Sequence, residues 1–264
     1  MHICPYIPQN PCSKSKTSSY NHISSSLLGQ TTHELVVSLN LVSLEVPTPD
    51  HFDRLFSALR RSSSAAALRT ITLFPDVQDS GYEKTHAVNP NSISLLFPFQ
   101  NLEDLLIGTA TSFKHIDNAL IKDMANAWPR LKYLRLYHFP DSELTKVTVF
   151  GLLPLANCAY LESLEITLDS AIPDTGKADG TFHDGSLSCL AVGKSAIKDP
   201  EAVAAFLSNV LPNLMDIEAW GNENGYAPEE GTDAELWQQV WKNYLMLVKV
   251  RRQENLAPRA HGMD

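Results

Sequence analysis

Six-residue frames of the form L-x-x-L-x-L recur along this chain of 264 residues. They read "LRTITL" (68–73), "LEDLLI" (102–107), "LKYLRL" (131–136), "LESLEI" (161–166) and "LSCLAV" (187–192), with "LVSLEV" (41–46) before them and a weaker "LMDIEA" (214–219) after. Successive frames start 27, 34, 29, 30, 26 and 27 residues apart. This recurrence constrains the fold more than any other feature. Each unit is too small to cover its own apolar side chains, and units stacked side by side are the arrangement that covers them.

Within a frame the last four residues alternate, as a short strand with one buried face requires, and the first leucine packs inward from the preceding turn. Between frames the apolar period lengthens to that of a helix, over 50–61, 116–128, 147–158 and 199–211, with a shortened helix at 92–99. The fourth starts by rule, with Asp199 as cap, Pro200 in the first helical position and Glu201 near the positive end of the helix dipole. One strand and one helix per unit predict an α/β leucine-rich-repeat solenoid of about seven irregular repeats. Its curved parallel sheet lies on the concave side and its helices on the convex side.

A stack needs an end cap, and 232–253 supplies one. Thr232 and Glu235 form a capping box, while Leu236, Trp237, Val240, Trp241, Tyr244, Leu247 and Val248 make one apolar side. Lys249, Arg251 and Arg252 sit near the negative end. The alternative is a helix that offers Trp237 and Trp241 to a partner; an apolar stripe at helical spacing is more often core. The expected organisation is a loose N-terminal segment (1–30) rich in Ser, Pro, Asn and Lys, a repeat domain (31–253) and a disordered tail (254–264).

The apolar fraction of 44% supports a sizeable core, and the net charge of −9 bears on partners. With a pI near 5.4, the chain lacks the basic footprint of a nucleic-acid binder and the attraction to anionic lipid of a membrane-surface protein. A protein partner, basic or neutral by charge, is expected. No apolar run reaches the ~18 residues of a bilayer span, and the opening "MHICPYIPQ" is unlike a secretory signal. Cys4, Cys12, Cys158 and Cys189 form no C-x-x-C pair and no glycosylation sequon occurs, which fits a reducing compartment, cytoplasmic or nuclear.

Three connections are long: 74–90, 168–186 and 220–233. Their net charges of −2, −3 and −4 together equal that of the whole chain, so acidity is expected on one rim, where it would steer a basic partner. The second expected surface is the concave sheet. Strand residues pointing away from the core include Ser43, Glu45, Thr70, Thr72, Asp104, Leu106, Tyr133, Arg135, Ser163, Glu165, Cys189, Ala191, Asp216 and Glu218. Glu45, Thr72, Asp104, Leu106, Tyr133, Arg135, Glu165, Asp216, Glu218 and, just past the last frame, Trp220 are the candidate partner-binding residues. An exposed Tyr133, Arg135 and Leu106 at the centre have the composition of a protein interface.

No catalytic, cofactor or metal residues are assigned, and no enzyme activity is expected. "VGKS" (192–195) resembles the end of a phosphate-binding loop, but that pattern requires glycine where Ser188 stands. "DTGKADG" (174–180) fails calcium-loop spacing, with Gly176 and Ala178 at ligand positions. An enzyme with a hydrolase-type site on the long loops is the least favoured alternative.

The run "SISLLFPFQNLEDLLIG" (92–108), "MANAWPRLKYLRL" (124–136), "FGLLPLANCAYLESLEI" (150–166) and the stretch 187–220 resembles the fungal F-box proteins with degenerate leucine-rich repeats. The resemblance covers about residues 31–253 and implies the substrate-recognition repeats of a ubiquitin-ligase receptor. In that family an F-box docks on the ligase adaptor, so an adaptor partner is implied only if a cryptic F-box exists; residues 1–30 lack the length and pattern of one. The alternative is a truncated family member or fragment without ligase function.

Overall fold

A computed structural model of the chain describes residues 38–43, 48–62, 66–75, 86–108, 111–136, 145–169, 186–219 and 231–256. Seven strands form one sheet: β1 (Ser38–Ser43), β2 (Thr70–Pro75), β4 (Asp104–Ile107), β6 (Tyr133–Leu136), β7 (Ser163–Glu165), β8 (Cys189–Gly193) and β9 (Asp216–Ala219). All pairings are parallel, and the spatial order is the order along the chain. Two short strands, β3 (His86–Ala87) and β5 (Thr111–Ser112), make a separate parallel pair. The helices are α1 (Pro49–Ser62), α2 (Pro90–Ser94), α3 (Asn118–Ala127), α4 (Pro200–Val210) and α5 (Asp233–Leu256). The fold is α/β.

Register follows the frames. Ile71, Leu105, Leu134, Leu164 and Leu190 lie side by side across five strands and are buried, as are the leucines that open their frames, Leu68, Leu102, Leu131, Leu161 and Leu187. They join one hydrophobic core with Phe56 of α1, Ile121 of α3 and Leu207 of α4. Full burial of a leucine contributes about 1.5–3 kcal/mol. A core shared along the whole sheet is therefore what holds neighbouring units together.

The first frame is corrected. β1 begins at Ser38, which pairs with Thr70, so Leu39 stands beside Ile71 and Leu41 beside Leu73. The described strand "SLNLVS" (38–43) therefore stands five residues earlier in register than expected. Apolar residues alternate at 37, 39 and 41 and again, in the opposite phase, at 42, 44 and 46, so the sequence alone fits either register. A strand ending at 46 would leave only Pro47 and Thr48 before α1.

The helix expected over 147–158 is also corrected, to two 3-10 turns, Val149–Leu152 and Pro154–Asn157. Pro154 lacks the N–H that an α-helix would need there and its ring obstructs the preceding turn. Gly151 makes the close approach possible, since a Cβ there would stand 2.3 Å from Asn118 Oδ1. Asn118 uses that closeness, with Nδ2 donating to Thr148 Oγ1 at 2.9 Å and Oδ1 accepting from Thr148 N at 2.9 Å. Phe150 meets Phe206 of α4 edge-on at 4.9 Å, joining this unit to α4.

Caps behave as expected at α4, where Ala202 N donates to Asp199 Oδ1 at 2.9 Å. At α5 the N–H of Glu235 donates to Thr232 Oγ1 at 3.3 Å, while the Glu235 carboxylate reaches one residue further back, to Gly231 N at 2.6 Å. Gly231 has φ +78, a conformation that favours glycine. α5 packs on α4 and β9 with Trp237, Val240, Tyr244 and Val248 buried and Leu236, Trp241 and Leu247 partly so. Trp237 Nε1 donates to Ser195 O at 2.8 Å and Trp241 stacks on Tyr244, so both tryptophans belong to packing. The helix runs three residues past the expected boundary at 253. The N-terminal segment 1–30 and residues 257–264 lie outside the described residues.

Candidate functional site

The sheet's second face carries two rows of side chains fixed by the same register. One row contains Thr70, Asp104, Tyr133, Ser163, Cys189 and Asp216; the other contains Thr72, Leu106, Arg135, Glu165, Ala191 and Glu218. Strand alternation places them there, since each follows or precedes an inward leucine or isoleucine. Of the ten expected binding residues, the sheet brings together Thr72, Asp104, Leu106, Tyr133, Arg135, Glu165, Asp216 and Glu218. Glu45 and Trp220 lie outside the described residues, and the corrected register gives the β1 position in the Thr72 row to Asn40. Most of the acidic connections, 76–85, 170–185 and 220–230, also lie outside them.

Arg135 organises the centre. Its Nη2 donates to both Asp104 oxygens at 3.1 Å, and its guanidinium carbon lies 5.9 Å from the Tyr133 ring centre, within cation–π range. Reaching diagonally back to Asp104 takes the side chain beside Leu106, its in-register neighbour. Leu106 is only 5% exposed, so the expectation of an exposed apolar anchor there is corrected. Tyr133 and Arg135 are half-buried. The Nε of Arg135 is buried with no hydrogen-bond acceptor among the described residues.

Burial raises the Asp104 carboxyl above its ordinary range, and Arg135 only partly offsets it. Burial also pushes Glu165 up to about 7, with Arg135 opposing and the Glu218 carboxylate, two strands away, adding to the rise. Small Ala191 separates those two acids. Glu165 therefore divides between charged and neutral forms near neutral pH. The Tyr133 phenol donates to Glu162 Oε2 at 2.7 Å, and that bond raises its pKa.

Reading the candidate residues one strand at a time misses a third column, one residue before each strand. Arg69 and Lys132 both pair with Glu103, the latter at 2.7 Å, and Glu162 follows. The Lys132 hydrogen bond leads in holding Glu103 below the usual carboxylate range, Arg69 assisting and burial opposing. Along this column each backbone N–H donates to the preceding unit's carbonyl, Glu103 to Arg69, Lys132 to Glu103 and Glu162 to Lys132, at 2.7–2.8 Å. The signal was present as charge alternation, +, −, +, −, at the second position of consecutive frames.

The remaining motifs resolve structurally. In "VGKS", Ser195 is buried, donates to Val192 O and accepts from Leu168 N at 2.7 Å, and α4 begins five residues later. Cys158 is a free thiol whose burial pushes it up to about 11, so it stays protonated. Cys189 is buried within β8. Among the described residues no group of His, Cys, Asp and Glu is arranged to hold a metal ion, and no helix is long and apolar enough to cross a membrane.

The second face thus offers carboxylates, an aromatic ring and a guanidinium in register, most of them already engaged with one another. Such an arrangement suits contact with a polar, extended surface. No protein-family model matches this chain and no curated protein is significantly similar to it.

Proposed function

We propose that this chain is a leucine-rich-repeat solenoid that binds another protein, without catalysing a reaction, against the second face of its sheet. This is the target-holding half of what the F-box resemblance implies. The observation that carries the reading is the Tyr133–Arg135–Asp104 centre, where a ring and a guanidinium stand together on an otherwise acidic strip. Aromatic and arginine side chains supply most of the energy in protein interfaces. Asp104, Glu165, Asp216 and Glu218 against one arginine favour a basic target.

Site-specific photocrosslinking tests the reading. A benzophenone side chain in place of Tyr133 in the intact chain is expected to capture a discrete protein in cells, whereas the same group at the exposed Lys122 of α3 is expected to capture none. Adducts from Lys122 alone, or equally from both, would overturn it. Recovery of the ubiquitin-ligase adaptor with the Tyr133 adduct would extend the proposal to a ligase receptor; an adduct without it limits the function to binding.

A further inference from the structure

The helix that ends a stack of repeats has one neighbour and one free side, and the free side is ordinarily polar. α5 departs from this rule. Its inner side is fully engaged: beyond the buried Trp237, Val240 and Val248, Tyr244 OH donates to Leu211 O at 2.7 Å and accepts from Leu214 N at 2.9 Å. On the outer side Leu245, Met246 and Val250 are 48%, 59% and 43% exposed. The helix cannot roll to cover them. It is pinned at its start, where Ile197 N donates to Asp233 Oδ1 at 3.0 Å, and near its end, where Arg252 Nη2 donates to Pro212 O at 3.3 Å.

Helical spacing sorts this outer side. Lys242, Met246 and Val250 fall in one i, i+4 row, and Leu245 and Lys249 fall in the next. Lys242 and Lys249 are exposed, as is Arg252, so apolar side chains and cationic groups share one strip. From 242 to 254 the basic residues are Lys242, Lys249, Arg251 and Arg252 and the acidic one is Glu254, on a chain whose net charge is −9. The strip is a basic island on an acidic molecule, which selects partners by sign.

We propose that this strip docks an acidic amphipathic helix of another protein. The partner's apolar side chains lie against Leu245, Met246 and Val250, and its carboxylates lie against Lys242 and Lys249. A second copy of this chain meets the strip with the same lysines, a like-charge contact. An anionic lipid surface repels the remaining, acidic bulk of the molecule, and three apolar side chains give little insertion to offset that. This site is separate from the sheet face and does not depend on its function.

The test uses the intact chain with 13C-labelled methionine methyl groups, Met246 as reporter and the buried Met124 of α3 as control. The probe is a synthetic helical peptide with leucine in one i, i+4 row and glutamate in the adjacent rows. The expected result is a saturable shift of Met246 with Met124 unmoved, weakened about tenfold or more by Lys242→Glu with Lys249→Glu and lost in Leu245→Ser with Val250→Ser. These are solvent-facing positions, so the variants are expected to keep the parent's circular dichroism. An unmoved Met246 would overturn the proposal. So would a shift produced by phosphatidylserine-containing vesicles and not by the peptide, or one that tracks the protein's own concentration.

Discussion

Leu134 and Arg135 are consecutive residues on opposite faces of β6, and the two faces follow different rules. On the first, Leu105, Leu134, Leu164 and Leu190 repeat the same side chain in register, all without solvent exposure. On the second, the matching row reads Leu106, Arg135, Glu165 and Ala191, four different side chains. A stacked core needs equal volumes from unit to unit, because each layer packs on the next. The second face repeats no single side chain, and although Leu106, Cys189 and Ala191 are buried there, the positions between them carry charge and ring. Repetition on one side specifies the fold; variety on the other leaves room for recognition.

Breaking the first face is expected to have the largest effect. Leu134→Asp puts an unpaired charge among apolar side chains and should cost more than about 4 kcal/mol, enough to abolish a cooperative thermal melt by circular dichroism. An unchanged melt would mean that the inward register is wrong. Arg135→Ala, one residue on, should cost only about 1–3 kcal/mol in a urea titration. It leaves Asp104 without its guanidinium and removes the cation that opposes the rise of Glu165. A loss as large as that of Leu134→Asp would show that the second face is core as well.

Glu165→Gln sharpens the contrast with the smallest change. The folded protein holds the Glu165 proton up to a pH of about 7, above the ordinary glutamate value of ~4.3 in the unfolded chain. The stability contributed by that proton is complete below the unfolded value and is lost as pH rises through about 7. Glutamine cannot ionise, so the variant should exceed the parent by about 1–2 kcal/mol at alkaline pH, the difference shrinking toward the acid side. Parallel stability curves for the two proteins across that range would remove the case for a perturbed carboxyl.

The frames at 68, 102, 131, 161 and 187 were legible because two signals coincide in each, the period-two alternation and the leucine three residues earlier. Where two alternations of opposite phase meet, at Leu41 and Val42, only the pairing of Ser38 with Thr70 decides the register, and pairing is a property of two segments. The helix expected at 147–158 was misread because its apolar spacing outweighed Pro154 and the close approach at Gly151. On the second face the frames indicated which strand positions share a row from β2 to β9 and gave no sign of the partnerships among them. Arg135 pairs diagonally with Asp104, Leu106 is buried, and the Arg69–Glu103–Lys132 column becomes visible only once the frames are aligned one above another.

Every strand of the seven-stranded sheet pairs only with the units just before and just after it in the chain. Order in such a sheet propagates from neighbour to neighbour, much as a zipper closes. A pull applied to one end would therefore open the molecule unit by unit, giving a train of small rips in a force–extension trace instead of one large one.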